Sequence, residues 1–291
     1  MRSLQRLVLL FSLVVTLAAC ATQQAGKISH FDVYNSGSKA IFPVTSTIFY
    51  TQNEAMLIDA QFTAQDAEQL VKQIQQSGKP LSLIYISQSD PDFYFGLETI
   101  LAAYPNARVV ATPATVERIK QSGTDKLKYW RTKLGKQAPT KIVIPQALAG
   151  NVIHFGDEVF DIKGSDALHT YLWLPSRKMI VGGSLLSNNM YVWTADAKTV
   201  RDRLYWDNTI FEMLALQPSL AIPGHYLGNQ PMGIEALEFT HQYLKTFDYI
   251  LLTRDSSKEV IASMKKLYPG LGGEMNLEMS TKITLGEMAF N

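Results

Sequence analysis

The chain of 291 residues has one cysteine, Cys20, so no disulfide can form within it. It has no excess of either charge: 27 Lys and Arg stand against 26 Asp and Glu, a net charge of +1. A balance of that kind gives neither the basic surface that nucleic acids attract nor an acidic tail, and nucleic-acid binding is not expected. After Leu17 no uncharged apolar run reaches the about 20 residues that a bilayer-spanning helix needs, so the remainder of the chain is expected to be water-soluble. Internal repeats, low-complexity tracts and long Pro/Gly linkers are also missing. What is present is an ordinary globular balance, 46% hydrophobic and 18% charged. Thirteen Tyr, thirteen Phe and four Trp suit a large core or a lined pocket. One compact domain over residues 28–291 is the expectation.

The N-terminus carries a separate signal. Arg2 and Arg6 form a positive start, and residues 7–17 are an apolar run without charge, too short for a permanent span and suited to the hydrophobic region of a secretory signal. Small residues then lead into Leu17-Ala18-Ala19-Cys20. This arrangement resembles the bacterial lipobox. The resemblance implies that residues 1–19 are removed, that Cys20 is diacylated, and that residues 20–27 are a tether to a membrane. Ala21 and Thr22 lack the acidic residue that resembles an inner-membrane retention signal. The expected place is therefore the periplasm, at the outer membrane rather than the inner.

Beyond the tether, residues 47–50 and 55–58 read as strands, the second ending at Asp59. Thr63 with Asp66 three residues on opens a helix whose Ala67, Leu70, Val71 and Ile74 share one face, and Ser77-Gly78 and Pro80 close it. Residues 81–86 are a continuous apolar run, as expected of a strand covered on both faces. A polar loop follows, then a helix over residues 95–104, a strand over 108–111, and a helix opened by Thr112-Pro113. The middle of the chain changes to short strands at 152–155, 159–162, 170–174 and 179–181. Helices return at 197–216, 233–252 and 258–267, with a strand at 219–222. A mixed strand-and-helix unit presented twice is the pattern of an α/β (α+β) four-layer αββα sandwich.

Ligands in such folds gather where strands end and loops begin. Three places stand out: Ser87-Gln88-Ser89-Asp90-Pro91-Asp92-Phe93-Tyr94-Phe95-Gly96, then Gly164-Ser165-Asp166 with the later Gly182-Gly183-Ser184, and Pro223-Gly224-His225. In this order the chain resembles the metallo-β-lactamase superfamily over most of its mature length. The strand ending at Asp59, Trp173-Leu174-Pro175, the stretch from Tyr191 through Trp193 to Asp196, and the terminal Gly286-Glu287-Met288 add to the likeness. The family's signature His-x-His-x-Asp-His holds two zinc ions. At the matching places this chain has Gln88, Asp90, Asp92 and Phe93, the middle histidine falls on Ser165, and the bridging aspartate falls on Gly183 or Ser184. Only Asp92 and His225 match as ligand types.

That count sets the expected chemistry. Catalytic zinc takes about three protein ligands, mostly imidazole or thiolate, and an open position for water. One aspartate and one histidine do not supply that, so a two-zinc centre is not expected. Gln88 and Asp90 would add oxygen donors, and an oxygen-rich set suits a single Mg²⁺, Ca²⁺ or Mn²⁺ better than zinc. Asp90 and Asp92 read equally as caps of the following helix. Asp59 reads first as a loop tie, and Ser165, Ser184, Tyr191 and Trp193 as pocket wall or packing. His30, His154, His169 and His241 read as structural or exposed, His169 being the one near Ser165. Two functions remain open. One is an altered, non-catalytic descendant that binds a small molecule or an envelope protein. The other is a metal-dependent hydrolase of an ester, lactone or amide, with Asp92 as the catalytic group that orients water or takes its proton.

Overall fold

The computed structural model describes residues 26–289. The predicted signal, the lipidation site Cys20 and the start of the tether lie outside the described residues. The end of the tether does not: the Gly26 carbonyl accepts from Asp157 N at 3.2 Å and Ile28 is buried, so the folded body includes residues 26 and 27.

A first sheet takes the strands in chain order: β1 (His30–Asn35), β2 (Thr45–Tyr50), β3 (Ala55–Ile58), β4 (Leu81–Ile86), β5 (Arg108–Ala111) and β6 (Gln146–Ala147). The β1–β2–β3 part is antiparallel, and every pair from β3 onward is parallel. Parallel neighbours need crossovers, which are α1 (Ala64–Gln76), then α2 (Pro91–Tyr94) with α3 (Leu97–Ala103), then α4 (Pro113–Leu134). A second sheet has the order β12-β10-β9-β8-β7, built from β7 (Val152–Phe155), β8 (Glu158–Lys163), β9 (Tyr171–Leu174), β10 (Met179–Val181) and β12 (Leu220–Ala221). The short strands β11 (Ser187–Asn188) and β13 (His225–Tyr226) pair in parallel. The helices of this half are α5 (Val200–Ala215), α6 (Glu235–Thr253), α7 (Ser257–Leu267) and α8 (Glu274–Thr284).

Side-chain alternation along the strands sorts the core into layers. Ile48, Leu57, Ile84 and Ile86 face Leu70, Ile74, Leu97 and Ile119 of the first helix layer. Their neighbours Phe49, Met56, Ile58 and Tyr85 point the other way, against Phe160, Leu172, Leu174 and Val181 of the second sheet. The far side of that sheet, with Tyr171, Trp173 and Ile180, packs on Ile210, Met213, Leu237 and Leu244 of α5 and α6. The result is helix, sheet, sheet, helix, as the patterning implies.

Some boundaries differ from expectation for local reasons. The helix predicted over 95–104 begins earlier, as the single turn α2, and is interrupted at Gly96. There the amide leaves the helix ladder and donates to the Gln61 carbonyl at 2.9 Å. An added Cβ at Gly96 would lie 1.9 Å from the Ala60 carbonyl oxygen. Gly96→Ala is therefore expected to force the two segments apart and destabilise the protein by more than about 3 kcal/mol, within the range of severe overpacking. Chemical denaturation checks it, and a loss below about 1 kcal/mol would mean that the contact relaxes freely.

Candidate functional site

The three loops singled out in the sequence meet at the C-terminal ends of β3, β4 and β10. Just past β3 the chain turns through Asp59 and Gln61, both left-handed, with φ of 63° and 71°. Side-chain hydrogen bonds hold that turn. Ser87 N donates to Asp59 Oδ1 at 2.8 Å and Ser87 Oγ to Asp59 Oδ2 at 2.7 Å. Gly183 N in turn donates to Ser87 Oγ at 2.9 Å. One buried carboxyl and one buried hydroxyl thus stitch three strand ends together, the loop-tying role expected for Asp59. Burial pushes the Asp59 carboxyl up to about 7, with the Asp92 charge adding and the two Ser87 bonds opposing. Gln61 Nε2 anchors the turn to Val44 O at 3.1 Å and Ser46 Oγ at 2.9 Å. The Ala60 amide donates to the Phe93 carbonyl at 2.7 Å, which fixes the backbone next to Asp92.

From that platform Asp92 meets His225. The imidazole Nε2 lies 2.8 Å from Asp92 Oδ2, and both side chains are largely buried. His225 reaches this position on β13. The preceding Gly224 lies against the Gly183 backbone, where a Cβ would come within 2.2 Å of the carbonyl oxygen. Phe93 places its ring edgewise to His225, with centroids 5.4 Å apart. Of the four residues considered as metal donors, these two are brought together.

The other two are placed differently. Asp90 is the N-cap residue of α2 but makes no capping bond with its side chain. It pairs with Lys126 Nζ of α4 at 2.8 Å, and the same ammonium donates to Ser89 O at 3.1 Å. Capping is therefore not the role of Asp90 or of Asp92, whose carboxylate goes to His225. Gln88 is 1% exposed, and its amide nitrogen has no partner. Among the described residues no group of three or more His, Cys, Asp or Glu is gathered as a metal would require.

The predicted pocket residues also divide. Ser165 is exposed and Ser184 half-buried. His169, close to Ser165, holds Asp166 Oδ2 at 2.7 Å through Nδ1. Trp193 donates through Nε1 to Asp196 Oδ2 at 2.7 Å. Tyr191 is packing and not pocket wall: it is buried with Tyr243, Phe247 and Leu277, and its hydroxyl donates to the Tyr268 carbonyl at 3.1 Å. Sequence reasoning missed Lys126, which is one more basic residue on a long helix, the Ser87 partner of Asp59, and the Gly183 amide that donates to Ser87.

No family model and no curated protein matches the chain. Solved structures do. A metallo-β-lactamase from Pontibacter korlensis aligns with a TM-score of 0.55 at 19% identity, over 75% of this chain and 95% of that one. The DIM-1 metallo-β-lactamase aligns with a TM-score of 0.52 at 18% identity, over 75% and 94%. The metallo-β-lactamase FIM-1 from Pseudomonas aeruginosa, in its mono-zinc form, gives 0.52 at 14% identity, over 75% and 90%. At such identities the likeness speaks to architecture, and it agrees with the layer order and strand topology above: this chain has the metallo-β-lactamase fold.

Proposed function

We propose that the chain is a lipid-anchored periplasmic protein, held by a diacylated Cys20 at the outer rather than the inner membrane, whose cleft has lost the two-zinc centre and binds a small molecule or an envelope protein. The observation that carries this reading is the 2.8 Å contact between Asp92 Oδ2 and His225 Nε2. The two residues that match the signature as ligand types direct these atoms at each other. The remaining donors do not complete a zinc site. Asp90 is neutralised by Lys126, Phe93 brings a hydrocarbon edge, and a glutamine amide is a poor substitute for the imidazole that zinc prefers. The residues present do not fit a two-zinc centre. What they offer instead is a rigid, partly buried polar pair on a stitched loop platform, suited to fixing one orientation of a ligand.

The lipid anchor rests on Arg2, Arg6, the short apolar run and Cys20. Among the described residues no helix is long and apolar enough to cross a membrane. The second reading is a metal-dependent hydrolase of an ester, lactone or amide with one divalent ion. It is favoured by the juxtaposition of Asp92 and His225.

Metal analysis of protein purified without chelator, together with esterase and lactonase assays, separates the two. Metal well below one equivalent and no hydrolysis are expected. Near-stoichiometric metal, lost together with hydrolysis in Asp92→Ala and His225→Ala, would overturn the binding-protein reading.

A further inference from the structure

Gly26 sits at the end of the body away from the cleft. Its carbonyl accepts from Asp157 N, in the turn between β7 and β8, at 3.2 Å. A Cβ on Gly26 would meet Gln52 N at 3.7 Å and Thr51 Cβ at 3.8 Å, in the turn between β2 and β3. That turn leads into β3, whereas the cleft lies at the opposite, C-terminal ends of β3, β4 and β10. Two cations tie neighbouring turns to the same corner. Lys79, just before β4, donates through Nζ to Gln52 O at 2.6 Å, and Arg177, just before β10, donates to the Ile28 carbonyl. The point where the tether meets the body is thus held by several turns at once.

This geometry bears on the lipid anchor proposed above, and the inference rests on that reading. Six residue steps separate Cys20 from Gly26, which is at most about 22 Å of fully extended chain. β4 alone has six residues, or about 20 Å of strand between the Gly26 end and the cleft end. A domain of this size is roughly 40 Å or more across. For the cleft to open onto the bilayer, Gly26 would have to stand about that far above it, well beyond what the tether spans. The same tether lets the Gly26 end rest on the headgroups.

Reach excludes the cleft-down orientation, and charge selects among the rest. The strand-connecting turns at the Gly26 end carry Lys27, Lys79, Arg108, Arg177 and Lys178 against Glu54, Asp157 and Glu158, five cations to three anions. A basic residue held near an anionic leaflet contributes about 1 kcal/mol. An excess of two is too weak to recruit a protein by itself, but it adds to a lipid that already holds the protein at the surface, where a second signal steadies a single anchor. We propose that the turns around Gly26 form a docking face for anionic phospholipid headgroups, which keeps the cleft on the periplasmic side and open to ligands from solution, not from the bilayer.

The test uses the mature lipidated protein in vesicles of phosphatidylethanolamine and phosphatidylglycerol in which some headgroups carry a nitroxide, a short-range quencher. Mass spectrometry first checks for diacylglycerol on Cys20, and its absence would overturn the anchor and the docking face together. With the Cys20 thiol taken by lipid, an introduced cysteine is the one site for a thiol-reactive fluorophore. Asn53→Cys and Ser176→Cys place the fluorophore on the docking face, and Ser165→Cys places it beside the cleft. All three side chains are exposed, so the fold should tolerate the changes. Strong quenching is expected in the first two variants and none in the third. Combining Lys27→Glu and Lys178→Glu with either of the first two should reduce its quenching. For a protein shown to be lipidated, equal quenching in all three variants, or the strongest in Ser165→Cys, would overturn the docking face and leave the anchor standing. So would quenching that the two charge reversals leave unchanged.

Discussion

Asp248→Ala is expected to lower the stability of the protein by about 3–5 kcal/mol, the range for breaking a buried ion pair from one side. Arg203, its partner, is 1% exposed although it is the longest charged side chain in the core. Its Nε donates to Asp248 Oδ1 at 2.5 Å, and its Nη1 donates to the carbonyls of Ala197 at 2.8 Å and Lys198 at 3.2 Å. The guanidinium also lies 5.5 Å from the Phe247 ring centroid. Truncating Asp248 leaves that charge in the interior without its hydrogen-bonded carboxylate, with two carbonyls, the Phe247 ring and the more distant Asp202 charge to meet it. Urea denaturation measures the effect, and a fall in Tm on the order of 10 °C should accompany it. Arg203→Met combined with Asp248→Leu should recover much of the loss, because an apolar pair removes the stranded charge. A change below about 1 kcal/mol for Asp248→Ala would place the pair with ordinary surface ion pairs.

The second large effect is a dependence of stability on pH set by Asp59. Its carboxyl is raised from 3.8 to about 7 by burial. The folded state therefore binds more protons than the unfolded chain between those values, and the linkage relation makes stability fall as pH rises through that window. One group accounts for a slope of at most about 1.4 kcal/mol per pH unit. Above the window the carboxylate is charged in both states and its contribution levels off. Asp59→Asn keeps an oxygen to accept from Ser87 N and cannot ionise, so its stability should be flatter over the same range. Denaturation midpoints of the two proteins at intervals from pH 4 to pH 8 decide this. Parallel curves would mean that Asp59 titrates at its ordinary value and that the Ser87 bonds fully offset its burial.

The architecture was readable wherever a strand is covered on both faces or a helix carries its own caps. Leu81–Ile86 is almost wholly buried, and an unbroken apolar run announces it. Thr63 caps α1 as its side chain accepts from Asp66 N at 3.0 Å, the interaction that the Thr-x-x-Asp spacing implies. β1 was not readable, because one of its faces is an uncovered edge and carries His30 and Asp32 where a buried strand would carry apolar residues. β11 and β13 are two residues each, too short for any periodicity. α8 starts after a left-handed Gly273 without a side-chain cap, so nothing local marks its beginning.

The candidate site was readable only as residue types in order. Asp92 and His225 are 133 positions apart, and their nearness was implied by resemblance, not by spacing. That Asp90 turns to Lys126 depends on how α4 packs over the loop, which no pattern along the chain encodes. The Ser87 and Gly183 bonds were hidden for the same reason, 28 and 96 positions of separation being closed only by the sheets. Tyr191 was indistinguishable from a pocket aromatic until α6, α7 and α8 were seen to enclose it.

The central claim is that Asp92 and His225 hold each other and do not hold zinc. Thermal unfolding of the chelator-treated protein, repeated against increasing zinc, tests it most directly. A bound metal raises stability by about 2.7 kcal/mol once its concentration reaches 100 times its Kd. The account predicts a Tm unchanged by chelator and by zinc up to micromolar excess, in the wild type and in Asp92→Asn alike. A Tm that climbs with the logarithm of zinc concentration in the wild type, and not in Asp92→Asn, would contradict it.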